Sequence, residues 1–498
     1  MKSRSTFLFL QGIILFIFSI TDLSAQIENA AYSATGRAGV GTTMLLDYQA
    51  LGVNPANIGI RKYEGKNFTI GLMETSGYGL LQGMNQSDLS YYLSNEFIGK
   101  DSFNYDDRQK AAQFVSGNAI GLNIEIMGLG LAYNNDKIGS FAFSVKESIR
   151  YFMDFNNTFT DYAFNGAASN LFPQLITNSG DTVANDPNQY ANYYNPMYGG
   201  IASGYNANGI SVGTIVNNTS YKLNWTRDWT LGYGRKIIDI DERHSLYAGL
   251  AVKYVQGFGY VDISAKDNNL TGVAAYMPAL NSLDSLLKIN TASSVGNAYK
   301  SIGQGVGFDL GLTAQVFNNY RIGASLINIG SITYTQNVNE VSDTTFYSVK
   351  FNPDLYSGFE DVIKWKQKDN FKVALPSQFR IGASASLVNN RIDIGVDMVT
   401  PLNKQPGNYN TTAWAIGGDF YVLRWLKLSS GMSWGGNYAS TSQGVYKTRV
   451  AVPFGIGFIL GEEGGYEFGV ATKDITTYFM NQTSPLYSAA IGVLRIRI

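Results

Sequence analysis

The 498 residues carry 37 Lys+Arg against 38 Asp+Glu, one His and no Cys, for a net charge of −1. Charged residues are 15% of the chain, against about 25% in an ordinary soluble domain. Mean hydropathy is −0.08. The balanced charge excludes the basic stripe that nucleic-acid binding needs. The missing Cys excludes a disulfide framework, a thiolate metal site and a Cys nucleophile. One His leaves no His-based zinc site, and the hydropathy is too low for a bundle of membrane helices. No enzyme activity, metal or cofactor is expected.

Residues 1–25 read as a secretory signal. Lys2 and Arg4 precede an apolar run from Phe7 to Ile20, and Leu23-Ser24-Ala25 offers a small-residue cleavage site. The run is shorter than the ~20 residues that span a bilayer as a helix.

Residues 66–498 show period-two patterning over long runs, the signature of strands. Phe308, Leu310 and Leu312 alternate with Asp309, Gly311 and Thr313; Ile394, Val396 and Met398 alternate with Asp393, Gly395 and Asp397. One set is bulky and apolar, the other small or charged. About 14 runs fall near 66–74, 119–133, 139–153, 221–237, 245–264, 303–317, 320–334, 377–388, 391–400, 411–422, 426–436, 447–460, 465–473 and 486–498. Globular strands are nearer five or six residues. In the last run Leu486, Ser488, Ala490, Gly492, Leu494, Ile496 and Ile498 are expected to share one outward face.

Short and long connections alternate. Asn134-Asn135, Asn318-Asn319 and Asn389-Asn390 suit tight hairpins, because Asn tolerates left-handed backbone. Long loops are expected over 75–118, 154–220, 265–302 and 335–376. This is the pattern of a transmembrane antiparallel β-barrel in a bacterial outer membrane, with turns at the periplasm, loops outside and lipid as its solvent. Trp225, Trp229, Tyr254, Tyr334, Trp414 and Trp434 are candidates for interfacial belts. The patterning alone also admits an aqueous porin.

Residues 26–65 precede the first strand and are rich in small residues. They contain Arg37, Asp47 and the step Asn54-Pro55-Ala56. At this step the chain resembles the FadL-like superfamily of outer-membrane barrels, including PorV-type proteins of Bacteroidota. Gly307 to Leu312 followed by Arg321 to Leu326 resembles strands of the same group. The resemblance implies a 14-stranded barrel with residues 26–65 folded into the lumen as a hatch. It also implies transport of a hydrophobic small molecule or, alternatively, a PorV-type interaction protein within a type IX secretion or other outer-membrane complex.

If the bulky set faces lipid, the lumen receives Glu125, Lys146, Lys253, Asp309, Arg321, Arg380, Asp393, Asp397, Asp419, Arg449, Glu467, Arg495 and Arg497. Both signs are present, which predicts pairing among themselves or with Arg37 and Asp47. In the loop after 265, Asn281 to Ile289 reads as a short helix with Leu283, Leu286 and Leu287 on one side, an apolar loop site. His244 stands in a turn beside Asp239, Asp241, Glu242 and Arg243, read as solvated turn charges. The Gly-rich stretches 36–41 and 303–311 lack the Gly-Lys-Ser/Thr of a phosphate loop.

Overall fold

The period-two runs become fourteen antiparallel strands that close on themselves. The computed structural model describes residues 30–498 apart from 62, 64, 83–86, 88–104, 117–118, 155, 194–195, 242, 278–299, 351–363, 437–449, 462–463 and 481–485. The expected leader, Arg449, Leu283, Leu286 and Leu287 lie outside the described residues.

The barrel strands are β1 Phe68–Gln82, β2 Ala119–Tyr133, β3 Ser140–Asp154, β4 Ser220–Asp241, β5 His244–Lys266, β6 Gly303–Val316 and β7 Tyr320–Tyr334. They continue as β8 Gln378–Leu387, β9 Ile392–Pro401, β10 Ala413–Leu423, β11 Leu426–Gly435, β12 Phe454–Leu460, β13 Tyr466–Thr472 and β14 Leu486–Arg497. Each pairs antiparallel with the next, and β14 pairs with β1, from Thr69 opposite Arg497 to Leu80 opposite Leu486. Closure removes both sheet edges, so every strand finds its hydrogen-bond partners within the sheet.

The two faces separate as the alternation predicts. Leu310 is 51% exposed while Asp309 beside it is fully buried. Leu231, Leu250, Leu312, Ile322, Val396, Ile416, Val470 and Val493 are likewise exposed. A continuous outward apolar band on a closed sheet is a lipid-facing surface. An arginine at a lipid-facing midplane position destabilises such barrels by about 2–4 kcal/mol. Leu310→Arg is therefore expected to lose that much in a denaturant titration in bilayers, whereas Gln304→Arg near the loop end loses less than about 1 kcal/mol.

Turns cluster at one end. Phe317, Asn318, Val388, Asn389 and Asn390 have positive φ, as tight turns require. The Asn134-Asn135 turn differs from expectation. Neither residue is left-handed, and Asn135 Oδ1 instead accepts from the Lys137 and Ile138 amides at 2.9 and 3.0 Å while Gly139 takes the positive φ.

β14 departs from the expected single face. Leu486, Ser488, Ala490 and Gly492 are buried, and so are Arg495 and Arg497. The inward series skips a residue because Glu467 pairs with Arg495 and Gly469 with Gly492, leaving Phe468 opposite both Val493 and Leu494. Met73 of β1 (φ 55°) and Gly128 of β2 are skipped at the same level. Three adjacent strands thus share a row of bulges, and the face of β14 reverses across it.

At the other end the loops form their own layer. Gln174–Thr177, Thr182–Ala184, Ile201–Ser211 and Thr345–Lys350 make a four-stranded sheet. Asn269–Tyr276 turns back to pair antiparallel with the end of β5, and Val338–Ser342 pairs with it in turn. Tyr334 does not join an interfacial belt. It is fully buried with Val255, Tyr260 and Ile332 in an apolar cluster at the barrel mouth. Trp229, Tyr254 and Trp414 are exposed on the outer wall.

Candidate functional site: the lumen

Residues 30–60 are almost wholly buried and contact strands all around the barrel. Tyr32–Gly36 is a single helical turn, and Asp47–Ala50 and Pro55–Gly59 are 3-10 turns. Small residues allow this compact coiling, and Asn54 starts the last turn by accepting from the Ala56 amide at 3.2 Å.

The barrel wall is shaped to receive the segment. Thirteen of the fourteen strands, all but β3, place a glycine against it. A side chain on Gly71 or Gly130 would collide with Tyr48, on Gly249 with Pro55, on Gly311 with Asn54, on Gly417 with the Arg37 backbone, and on Gly469 with Tyr32. Each such position belongs to the small, inward half of its alternation.

Polar contacts fix the fit. Asn54 Nδ2 donates to Thr42 O and Thr313 Oγ1, both at 2.9 Å. Thr313 Oγ1 donates to Asn57 Oδ1 at 2.7 Å, and Asn57 Nδ2 donates to Thr42 O at 3.0 Å. Ser325 Oγ donates to Val53 O at 2.5 Å. Asp397 accepts from the Gly41 amide at 2.9 Å, the Thr42 amide at 2.8 Å and Thr42 Oγ1 at 2.7 Å. Arg380 stands 3.6 Å from the same carboxylate. Pro55 and Ala56 pack against Gly249 of β5.

Of the charges singled out in the sequence, Arg37 pairs with Asp419 at 2.8 Å, and Asp47 pairs with Arg495. Glu467 gathers Lys427 at 2.9 Å, Arg497 at 2.5 Å, Arg495 at 3.4 Å and the Tyr32 hydroxyl at 2.8 Å. Lys253 pairs with Asp309 at 2.9 Å, and Glu125 with Arg150 at 2.6 Å and Lys146 at 3.7 Å. Arg321 and Asp393 are half-buried nearer the turn end; Asp393 accepts from Ser386 at 2.7 Å. His244 sits in the β4–β5 turn, 2.9 Å from Asp241.

The sequence reading missed Glu74, which accepts from Tyr48 at 2.6 Å and Gln49 at 2.8 Å, and Lys427. The run 66–74 ends at Glu74 because the bulge at Met73 breaks the alternation. Lys427 stood in plain alternation with Ser429, Gly431 and Ser433, a signal that could have found it. A small cavity remains on the loop side of Gly52, lined by Gln49, Glu74, Ser144, Lys146, Asp228 and Lys253.

Removing one partner of a buried ion pair costs about 3–5 kcal/mol. Asp419→Ala is expected to loosen residues 30–41 by that order and to expose them to protease, while Arg37→Met with Asp419→Leu restores most of the protection. Limited proteolysis of the reconstituted barrel checks both.

Residues 189–446, just over half of the chain, match the model of a family of unknown function, DUF5723. The chain belongs to the DUF5723 family. In this member the matched span runs from the loop layer through β11 and includes most of the glycine seats. No curated protein matches this DUF5723 chain. Similar solved structures include the TodX deltaS2S3 mutant monoaromatic hydrocarbon channel, 10% identical over 94% of this chain and 98% of that one, with a TM-score of 0.44. The P. putida toluene transporter TodX is 11% identical over 95% and 97%, with a TM-score of 0.40. A Pseudomonas aeruginosa FadL homologue is 11% identical over 95% and 98%, with a TM-score of 0.41.

Proposed function

We propose that this DUF5723 protein is an outer-membrane channel for small hydrophobic molecules, with residues 26–65 as its hatch. The observation that carries the proposal is how the segment is held. Its described residues 30–60 are held among the strands by side-chain hydrogen bonds and ion pairs, and none of them belongs to a strand of the barrel sheet, so they can shift without breaking a strand ladder. Hydrophobic cargo is supported by the mouth, where Val255, Phe258, Tyr260, Met277, Ile332 and Tyr334 gather under the loop layer. The turn end would face the periplasm and the loop layer the outside, as in outer-membrane barrels.

The test is uptake of the hydrophobic fluorophore N-phenyl-1-naphthylamine into proteoliposomes. The wild type should admit it faster than protein-free vesicles, and deletion of residues 26–61 should raise the rate several-fold. Equal rates for all three would overturn the channel reading. Recovery of a large stoichiometric partner from native membranes, with no uptake, would favour an interaction protein.

A further inference from the structure

The connection between β9 and β10, residues 402–412, does not stay at the rim. Pro406, Asn408 and Tyr409 are buried. The Pro406 carbonyl accepts from Asn224 Nδ2 of β4 at 2.7 Å, and Gln405 Oε1 accepts from the Tyr260 hydroxyl of β5 at 3.2 Å. Both partners lie across the lumen from β9 and β10. Near its base the connection is tied to the β7–β8 junction. Asn403 Nδ2 donates to Leu375 O at 2.7 Å, Asn408 Nδ2 to Ser377 O at 2.9 Å, and Gln378 Nε2 to Asn408 Oδ1 at 3.0 Å.

The tip is fitted to the far wall. Gly407 has φ +89°, which an L side chain resists. A side chain there would also press on Arg150, whose Cδ lies 3.1 Å from the Cβ position. Tyr409 packs with Ala38 and Val40 of the N-terminal segment and with Val399, Ala413 and Ala415 of the wall. The connection therefore spans the barrel from wall to wall, directly on the loop side of the segment and in contact with it.

We infer that residues 402–412 form a strap that is a second barrier in series with the N-terminal segment, bridged from the β9–β10 wall to Asn224 and Arg150 and coupled to the segment through Tyr409. The inference rests on the channel reading. Two barriers in series limit flux by the narrower, so removing either alone leaves the other in control. A cargo molecule entering from the mouth meets the strap first, which makes the Pro406–Gly407 tip a point of selection.

The test uses ion conductance in planar bilayers for four purified barrels: wild type, residues 26–61 deleted, residues 402–412 replaced by an Asn-Gly hairpin turn, and both changes together. The strap replacement alone should change conductance less than twofold, the deletion alone should raise it a few-fold, and the double variant should exceed the deletion at least tenfold. A deletion variant that already conducts as well as the double variant overturns the strap. A folded double variant that neither conducts nor admits N-phenyl-1-naphthylamine overturns the channel reading itself. If the shortened turn prevents folding, Asn224→Ala with Tyr260→Phe in the deletion background removes the two side-chain anchors of the tip, which donate to Pro406 O and Gln405 Oε1. Freeing the strap in this way should raise conductance several-fold over the deletion alone; conductance equal to that of the deletion variant overturns the strap.

Discussion

Gly311→Leu and Gly249→Leu are expected to unseat the N-terminal segment and open the barrel. At Gly311 the new side chain meets Asn54, and at Gly249 it meets the Pro55–Ala56 peptide. Neither neighbour can yield, because Asn54 is fixed by Thr42 and Thr313 and the Pro ring fixes its own backbone. Overpacking of this kind costs about 1–3 kcal/mol. Losing the hydrogen bonds of Asn54 and Asn57 adds about 1 kcal/mol each. Together these shift the seated population by roughly three powers of ten, at about 1.4 kcal/mol for each factor of ten. Residues 30–60 should become cleavable by protease added from the turn side, and conductance should rise several-fold, up to the limit that remains above the segment. Gly79→Leu is the control: a side chain there meets nothing within 4 Å. Unchanged protection in both variants would show that the glycine seats do not hold the segment.

The opposite manipulation is expected to close the protein. The chain has no Cys, so an introduced pair cannot mispair with native thiols. The Cβ position of Gly36 stands 3.4 Å from Ala471 Cβ, near the ~3.8 Å typical of a disulfide. Ser429 Cβ, at 2.9 Å from the same position, must give slightly. Oxidised Gly36→Cys/Ala471→Cys should admit N-phenyl-1-naphthylamine no faster than protein-free vesicles, and reduction should restore the wild-type rate. Full uptake in the oxidised protein would mean that passage does not require this part of the segment to move.

The strands were legible because a half-lipid, half-lumen environment imposes a period of two, and long spans repeat it often enough to count. The face of β14 was not legible. A bulge adds one residue without changing composition, and only the register with β13 reveals it. Mixed charge in the small set pointed to internal pairing, but the partners themselves were out of reach of spacing rules: Arg37 and Asp419 are 382 positions apart. The glycines were visible merely as small residues. Their common purpose emerges only when thirteen strands bring them to one girdle facing Tyr32, Arg37, Tyr48, Asn54 and Pro55. Tyr334 misled because a Tyr near a strand end suits an interfacial belt and a buried mouth equally well.

Single cysteines in the Cys-free chain give the most direct measurement. Spin labels at Leu310, Val396 and Ile416 should relax strongly with lipid-soluble oxygen and weakly with an aqueous nickel chelate, while labels at Ala34 and Ile58 should be screened from both. Labels at Leu310 and Val396 that respond mainly to nickel, or labels at Ala34 and Ile58 that respond freely to it, would contradict a lipid-facing barrel closed around its own N-terminal segment.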